Sequence, residues 1–233
     1  MFGIFTGVVA NAALVIVGTA AGLIFKTEKL QSIGERVFQV FALFVLALGV
    51  TGASDISRPV FILISIVIGV AVGELIDLDG KFNHLGHALQ KRFAKEGDSN
   101  FAKGFIQASL LFCVGSMTVV GALQSGMDNT HNILCAKGLI DCVSAATFAM
   151  GMGIGVGFSA ISVLVYEGAL TLIAGSIAPI MSDSIVALSS TIGSLFLIGM
   201  ALNMLKLTDL KIANFLPAMF VPMVYEALRL LIF

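Results

Sequence analysis

The sequence predicts an all-α fold, a polytopic transmembrane helix bundle of about eight spans, because its composition and its apolar runs both suit a membrane. Of its 233 residues, 58% are hydrophobic and only 12% are charged, and the mean hydropathy is +1.04. A soluble domain carries roughly 25% charged residues, so a soluble fold is excluded. The net charge of −1 provides no basic surface, so we expect no nucleic-acid partner. We treat residues 1–233 as a single integral membrane domain.

The third observation is the alternation of long apolar runs with short polar breaks. A spanning helix needs roughly 20 mostly apolar residues, and the predicted spans are 4–25, 34–53, 58–77, 102–124, 137–155, 160–180, 185–205 and 211–232. Pro59 lies in the first turn of the third span, where its missing N–H costs little. Pro217 and Pro222 should bend or break the eighth span, because each removes an intrahelical hydrogen bond.

Small residues at regular spacing predict close helix packing. Such stripes are Gly18-x-x-x-Gly22, Gly69-x-x-x-Gly73 and Gly153-x-x-x-Gly157. Between the fifth and sixth spans, Gly155 and Gly157 predict a tight turn, with Ser159 as the N-cap of the sixth helix. Cys113 and Cys142 lie within spans, where we interpret them as small apolar packing residues.

Residues 81–95 lie in the one substantial polar segment. Their apolar side chains recur at helical spacing beside basic residues, at Phe82, Leu85, Leu89 and Phe93. This pattern predicts a short amphipathic helix on the inner headgroup surface. His84 and His87 are three residues apart and could ligate a metal, but no third ligand is nearby. We therefore interpret them as solvated histidines and expect neither metal nor cofactor.

The basic residues predict the orientation. Eight spans place ten Lys and Arg residues on one side of the membrane and three on the other. The ten are Lys26, Lys29, Arg36, Lys81, Lys91, Arg92, Lys95, Lys103, Lys206 and Lys211. The positive-inside rule then places both termini outside.

A faint internal repeat relates spans 1–3 to spans 6–8. A shift of 152 residues aligns Glu74 with Glu226, and a shift of 156 aligns Asn11 with Glu167. The halves, 1–80 and 160–233 around two central spans, would have inverted orientations, which is a common plan of secondary transporters. The alternative is that apolar helices share residues through composition alone.

Two carboxylates within apolar runs are the leading site candidates, since an acid in hydrocarbon is costly and marks function by default. Asp141 lies four residues after Lys137, so the two share a helix face. They form either an ion or proton site that Lys137 tunes, or a structural pair at the outer interface with Lys137 snorkelling. Glu167, if unpaired, should favour its neutral form. Glu167 either carries protons or cations, or forms a hydrogen bond to a neighbouring helix that only stabilises helix packing.

The remaining candidates are polar residues in or beside spans: Asn11, Asn214, Gln107, Ser109 and Glu226. Asn214, three residues before Pro217, suggests an interrupted helix whose freed carbonyls could line a cavity. Gln107 and Ser109 belong to a polar face of the fourth span, which either lines a pore or packs through hydrogen bonds. Glu226 is a weak candidate because of its mid-to-outer depth.

Residues 101–175 carry a family resemblance. GF-x-x-ASLLFCVGSM-x-VVG (104–121), K-x-x-x-D (137–141) and G-x-G-x-x-FSAI-x-V-x-x-Y-x-G (153–168) resemble the YdfK/YqgA family of bacterial inner-membrane proteins, a domain of unknown function. The resemblance implies a multi-pass protein of the bacterial inner membrane and implies no activity. The family leads us to expect Gln before Gly168, where this chain has Glu167; an amide there would bind through hydrogen bonds.

These patterns favour a secondary transporter or channel-like carrier of a small solute or ion, with a site lined by Glu167, Asp141, Asn11 and the Asn214–Pro217 break. A non-transporting scaffold or regulator is the alternative, and an intramembrane enzyme using Asp141 and Glu167 is the least favoured. The sequence has no nucleophile elbow, no HExxH and no P-loop lysine, so we expect no enzyme. The expected partners are the lipid bilayer and an unidentified small solute or ion, with a homodimer left open.

Overall fold

A computed structural model describes residues 3–24, 31–54, 56–93 and 100–232. Within these ranges the chain is helical and has no strand, which confirms the predicted all-α class. The α-helices are α1 (Thr6–Ile24), α2 (Gln31–Gly52), α3 (Pro59–Leu75), α4 (Leu78–Phe93), α5 (Phe101–Cys113), α6 (Ser116–Asp128), α7 (Asn132–Met152), α8 (Gly155–Ile177), α9 (Asp183–Met204) and α10 (Val221–Ile232). A 3-10 segment, Ile212–Phe220, precedes α10.

Five of the described helices are long and apolar enough to cross a membrane, namely α1, α2, α7, α8 and α9. Two further pairs pass the same test only together: α3 with α4, bent by 52°, and α5 with α6, bent by 65°. If each bent pair is one span, the count is seven. The predicted count of eight is therefore not confirmed, although several membrane-spanning helices are.

One compact unit of the chain comprises residues 1–41, 82–113 and 117–175. In this unit α1 packs along α7 at very short range. A Cβ built on Gly18 would lie 2.0 Å from the carbonyl oxygen of Cys142, and one on Gly22 would lie 2.1 Å from that of Ala146. The first glycine stripe is thus a helix-contact stripe, as predicted, because only glycine permits this approach.

The other compact unit comprises residues 42–81, 114–116 and 176–233. Here the second glycine stripe brings α3 against the 3-10 segment, where a Cβ on Gly73 would lie 1.9 Å from the carbonyl oxygen of Asn214. Pro217 lies inside the 3-10 segment, and Pro222 lies in the first turn of α10. The predicted break is confirmed at Pro217, whereas Pro222 lies where α10 begins and does not break that helix.

Two local predictions need correction. The fourth predicted span is two helices, because α5 ends at Cys113 and Gly115 adopts a φ of 129°, a conformation that L side chains rarely adopt. The turn after α7 lies at Gly153, whose φ is 80°, so α8 already begins at Gly155. Ser159 is inside α8 and donates to the carbonyl of Val156; it is not an N-cap.

Helix α4 coincides with the predicted amphipathic helix, except for residues 94 and 95, which lie outside the described ranges. Its Leu85 and Phe93 are exposed, and Lys91 and Arg92 lie in its last turn. Lys26, Lys29 and Lys95, on which the orientation partly depends, also lie outside the described ranges. The orientation of the termini therefore stays a prediction.

Candidate ion-binding site

Four polar side chains of α1, α7 and α8 meet inside the first unit. We call Asn11, Lys137, Asp141 and Glu167 the ion cluster. Asn11 and Glu167 are 0% exposed, and Lys137 and Asp141 are 5% and 6% exposed. The three strongest sequence candidates are thereby brought to one place, together with the lysine that was predicted to pair with Asp141.

Hydrogen bonds and charges connect all four members. The Lys137 ammonium donates to Asp141 Oδ2, and its Nζ lies 3.3 Å from Glu167 Oε1. Asn11 Nδ2 donates to the same Oε1 at 2.8 Å. Glu167 Oε1 therefore accepts a hydrogen bond from the Asn11 amide and lies beside the Lys137 ammonium. Lys137 in turn lies between the carboxyl groups of Asp141 and Glu167.

The local sequence explains this convergence. Lys137 and Asp141 are four residues apart in α7 and share one face of the helix. Between them, Gly138 lets α1 approach at the level of the cluster, since a Cβ there would lie 3.1 Å from the Cα of Asn11. The glycine stripe of α1 continues this close approach toward the other end of the helix. Asn11 is held beside α7 as a result.

One sequence alternative and one condition do not hold at this site. Lys137 does not snorkel from an interface, because it is buried. Glu167 is not an unpaired carboxyl, because an ammonium group lies beside it. The spacing of residues in the sequence could not predict the Lys137–Glu167 contact, since the two residues belong to different helices.

Four buried side-chain oxygen atoms have no hydrogen-bond partner among the described residues. They are Asn11 Oδ1 and Glu167 Oε2 within the cluster, and Thr171 Oγ1 and Gln107 Oε1 outside it. A buried polar atom without a hydrogen bond costs about 1–3 kcal/mol. Such atoms in a native structure indicate strain, function, or a water or ion that binds there.

The ion cluster carries a net formal charge. Two ionised carboxylates and one ammonium give −2 + 1 = −1. A net charge in a low-dielectric interior is strongly disfavoured unless it is neutralised. The cluster can therefore accept one further positive charge from outside the chain.

The C-terminal end of α5 lies near the ion cluster. The Cys113 side chain is within electrostatic range of Lys137, Asp141 and Glu167. The last turn of any α-helix leaves carbonyl groups without intrahelical partners. In this turn, the Phe112 carbonyl accepts a hydrogen bond from the Thr118 hydroxyl at 3.3 Å.

The polar face of α5 is only partly explained. Ser109 Oγ is 2.8 Å from Ser162 Oγ, a contact between α5 and α8 that matches the packing alternative. Gln107 is half-buried, and its Oε1 has no partner among the described residues. No recorded contact between described residues joins either side chain to the ion cluster.

Asn214 and Glu226 lie in the other unit and have partners there. Asn214 is fully buried; its Nδ2 donates to Glu74 Oε2, and its Oδ1 accepts the Asp79 N–H, both at 2.7 Å. Glu226 Oε1 lies 3.4 Å from an Arg229 nitrogen. Among the described residues, no group of three His, Cys, Asp or Glu side chains could hold a metal ion.

Comparison with known proteins agrees with the membrane architecture. The chain is similar to the uncharacterized membrane protein YdfK of Bacillus subtilis, at 25% identity over 220 residues that cover 93% of each chain. It is also similar to the uncharacterized protein YqgA of Escherichia coli, at 25% identity over 221 residues that cover 93% of this chain and 94% of YqgA. No solved structure matches. The family model described as "Protein of unknown function (DUF554)" matches residues 6–227, so the chain belongs to the DUF554 family, as the resemblance predicted.

Proposed function

We propose that this membrane protein is a secondary transporter or channel-like carrier of a small solute or ion in the bacterial inner membrane, with the ion cluster as its binding site. One observation carries the proposal: a buried cluster with a formal charge of −1 and two oxygen atoms that have no hydrogen-bond partner among the described residues. Ionisable groups inside membranes are costly and mark ion or substrate pathways. In this protein three ionisable side chains, Lys137, Asp141 and Glu167, lie together in the ion cluster.

The ion cluster can hold Glu167 in two charge states. The ionised carboxylate accepts the Asn11 N–H and pairs with Lys137. A protonated carboxyl needs an acceptor, and the Asn11 amide supplies one by turning its Oδ1 toward Glu167, because an amide side chain has a donor and an acceptor end. A carrier must bind and release its ligand without losing its fold, and this amide serves both states.

Broken helices support the same function. Secondary transporters commonly place discontinuous helices at the binding site, where freed carbonyls coordinate cations. Helix α5 ends at Cys113, whose side chain is within electrostatic range of the cluster. A helix end at this position provides hydrogen-bonding groups that a continuous helix would lack.

The alternative is a non-transporting scaffold or regulator in which the ion cluster only fixes helix packing. The close glycine contact of α1 with α7 and the mutual pairing inside the cluster favour this alternative. It predicts no ion movement and little effect of an amide in place of Glu167, as the family resemblance implies. We do not propose an enzyme activity.

The deciding experiment measures charge movement in proteoliposomes on a solid-supported membrane. Jumps of pH or salt should give a transient current with the wild-type protein and none with Glu167→Gln. Glu226→Gln is the matched control, because this acid lies in the other unit and pairs with Arg229; its current should equal that of the wild type. A wild-type protein that stays silent under every jump would support the scaffold instead.

A further inference from the structure

We infer that the ion cluster binds one monovalent alkali cation, of which Na⁺ is the probe, in competition with one proton. The inference rests on the proposed function only for the location of the site. It specifies the ligand class, which the proposed function leaves open. Binding can be measured without transport, so the two fail independently.

The Glu167 carboxyl has one occupied side and one open side. Its Oε1 is engaged by Asn11 and Lys137, at 2.8 and 3.3 Å. Its Oε2 has no partner among the described residues, although the whole residue is buried. A cation at Oε2 would have the carboxyl group between itself and the Lys137 ammonium, which reduces their repulsion.

Further oxygen atoms without partners are available for the cation. Thr171 is one helical turn beyond Glu167 and shares its face of α8; it is 2% exposed, and its Oγ1 makes no hydrogen bond with the described residues. Asn11 Oδ1 also makes no hydrogen bond with the described residues, and it belongs to the amide whose Nδ2 donates to Glu167. Carboxylate, amide and hydroxyl oxygens are hard donors, which suit hard cations better than transition metals.

The charge of the ion cluster selects the valence of its ligand. One monovalent cation added to a charge of −1 gives a neutral cluster, whereas one divalent cation would leave a buried charge of +1. One proton also gives neutrality, so a proton and an alkali cation exclude each other. Lys137 therefore acts as a built-in positive charge that keeps divalent cations out.

The polar and titratable groups that contact Glu167 or interact with it electrostatically belong to α1, α5, α7 and α8 itself. Helix α7 contributes Lys137 and Asp141, α1 contributes Asn11, and α5 contributes the Cys113 thiol. Tyr166 is the neighbour of Glu167 in α8 and is within its electrostatic range. Among these, Asp141 is already held by the Lys137 ammonium, so Glu167 is the group at which the cation and the proton compete.

The test is equilibrium binding of radioactive Na⁺ to the purified full-length protein in detergent, at acidic, neutral and alkaline pH. We expect about one Na⁺ per chain, with an apparent affinity that weakens up to about tenfold for each unit of pH decrease where the proton is bound. Unlabelled Li⁺ should compete with the radioactive Na⁺, whereas Ca²⁺ should not. A wild-type protein that binds no Na⁺ at any pH would overturn the inference.

Three variants assign the binding to specific atoms. Glu167→Gln should abolish Na⁺ binding. Thr171→Val keeps the side-chain shape and should weaken binding about tenfold, the effect of one lost ligand at roughly 1.4 kcal/mol. Thr147→Val is its matched control, because Thr147 is half-buried and its recorded hydrogen bond goes to the Val143 carbonyl within its own helix; this variant should bind Na⁺ as the wild type does. If Thr171→Val and Glu167→Gln, as single variants, both bound Na⁺ with unchanged affinity, the assignment of the site would be overturned.

Lys137→Gln tests the valence argument. The cluster charge becomes −2, so Ca²⁺ should now displace radioactive Na⁺, which it does not do in the wild type. If this variant does not fold, the Glu167 and Thr171 variants still decide the inference. Na⁺ binding without any current in liposomes would uphold the inference and refute transport. A Glu167-dependent current without Na⁺ binding would uphold transport and refute the inference.

Discussion

Replacement of Gly18 by alanine should separate α1 from α7. It should also break the hydrogen bond between Asn11 and Glu167 in the ion cluster, although Gly18 does not belong to that cluster. The added Cβ would lie 2.0 Å from the Cys142 carbonyl oxygen, whereas ordinary contact begins at 3.4 Å. The difference, 3.4 − 2.0 = 1.4 Å, is the movement that the two backbones must share. Neither partner is a flexible side chain, so one of the two helices must shift.

A shift of this size exceeds the tolerance of the hydrogen bond at the other end of α1. Asn11 lies seven residues before Gly18, or roughly 10 Å along the helix. Its bond to Glu167 is 2.8 Å long and becomes weak beyond about 3.2 Å, so it tolerates about 0.4 Å. If α1 moves as one body, Gly18→Ala breaks this bond. Overpacking of this kind costs about 1–3 kcal/mol.

The assay is a double-mutant cycle with Asn11→Ala, measured by reversible unfolding in mixed micelles. If Gly18→Ala has already broken the Asn11–Glu167 bond, then Asn11→Ala should cost much less in the Gly18→Ala background than in the wild type. Gly175→Ala is the matched control, since no atom of the described residues outside its own helical turn lies within 4 Å of its Cβ position. It should be neutral or stabilising by up to about 1 kcal/mol.

Two results would refute this reasoning. An additive cycle would mean that the hydrogen bond survives the substitution, so that α1 tilts about Asn11 instead of moving as one body. Equal stability of the Gly18→Ala and Gly175→Ala variants would mean that the glycine contact does not hold α1 against α7.

The remaining predictions concern the charges, the other unit and the topology. Lys137→Met leaves two buried carboxylates without their ammonium, so the free energy of unfolding should fall by about 3–5 kcal/mol; adding Asp141→Leu should restore part of it, and a lower stability of the double variant would contradict this. Asn214→Leu removes two partly buried hydrogen bonds and should lower the unfolding temperature, with a cost of about 1–3 kcal/mol for the two together. Cysteine labels at both chain ends should react from outside, and reaction of only one end would indicate an odd number of spans. Spin labels at Leu89 and Gln90 should report different depths if α4 lies on the headgroup surface, and equal aqueous environments would contradict it.

Features set by local spacing could be predicted from the sequence. The four-residue interval of Lys137 and Asp141 predicted their pairing, and Pro217 predicted the break before α10, because both effects act within one helical turn. The Gly18 and Gly22 stripe predicted a close helix contact but not its partner. A stripe specifies a face of one helix, while α7 supplies the facing backbone.

Features set by tertiary contact could not be predicted. Glu167 reads as an unpaired acid because its ammonium partner belongs to another helix. The apolar run 102–124 was predicted as one span, and the φ of 129° at Gly115 and the 65° bend between α5 and α6 show that it is two helices. Ser159 has the residue type of an N-cap, but the preceding turn occurs at Gly153, several residues earlier.

The sequence separations inside the ion cluster have a consequence for biosynthesis. A growing chain enters the membrane from its N-terminus, so Asn11 is inserted long before Glu167, which lies 156 residues later. Lys137 and Asp141, by contrast, enter the lipid together on one helical turn as a mutually neutralised pair. A nascent chain that stops after α7 therefore carries a neutral pair and an amide that still lacks its glutamate. Only the synthesis of α8 adds the surplus negative charge, at a time when the groups that stabilise it are already in the bilayer.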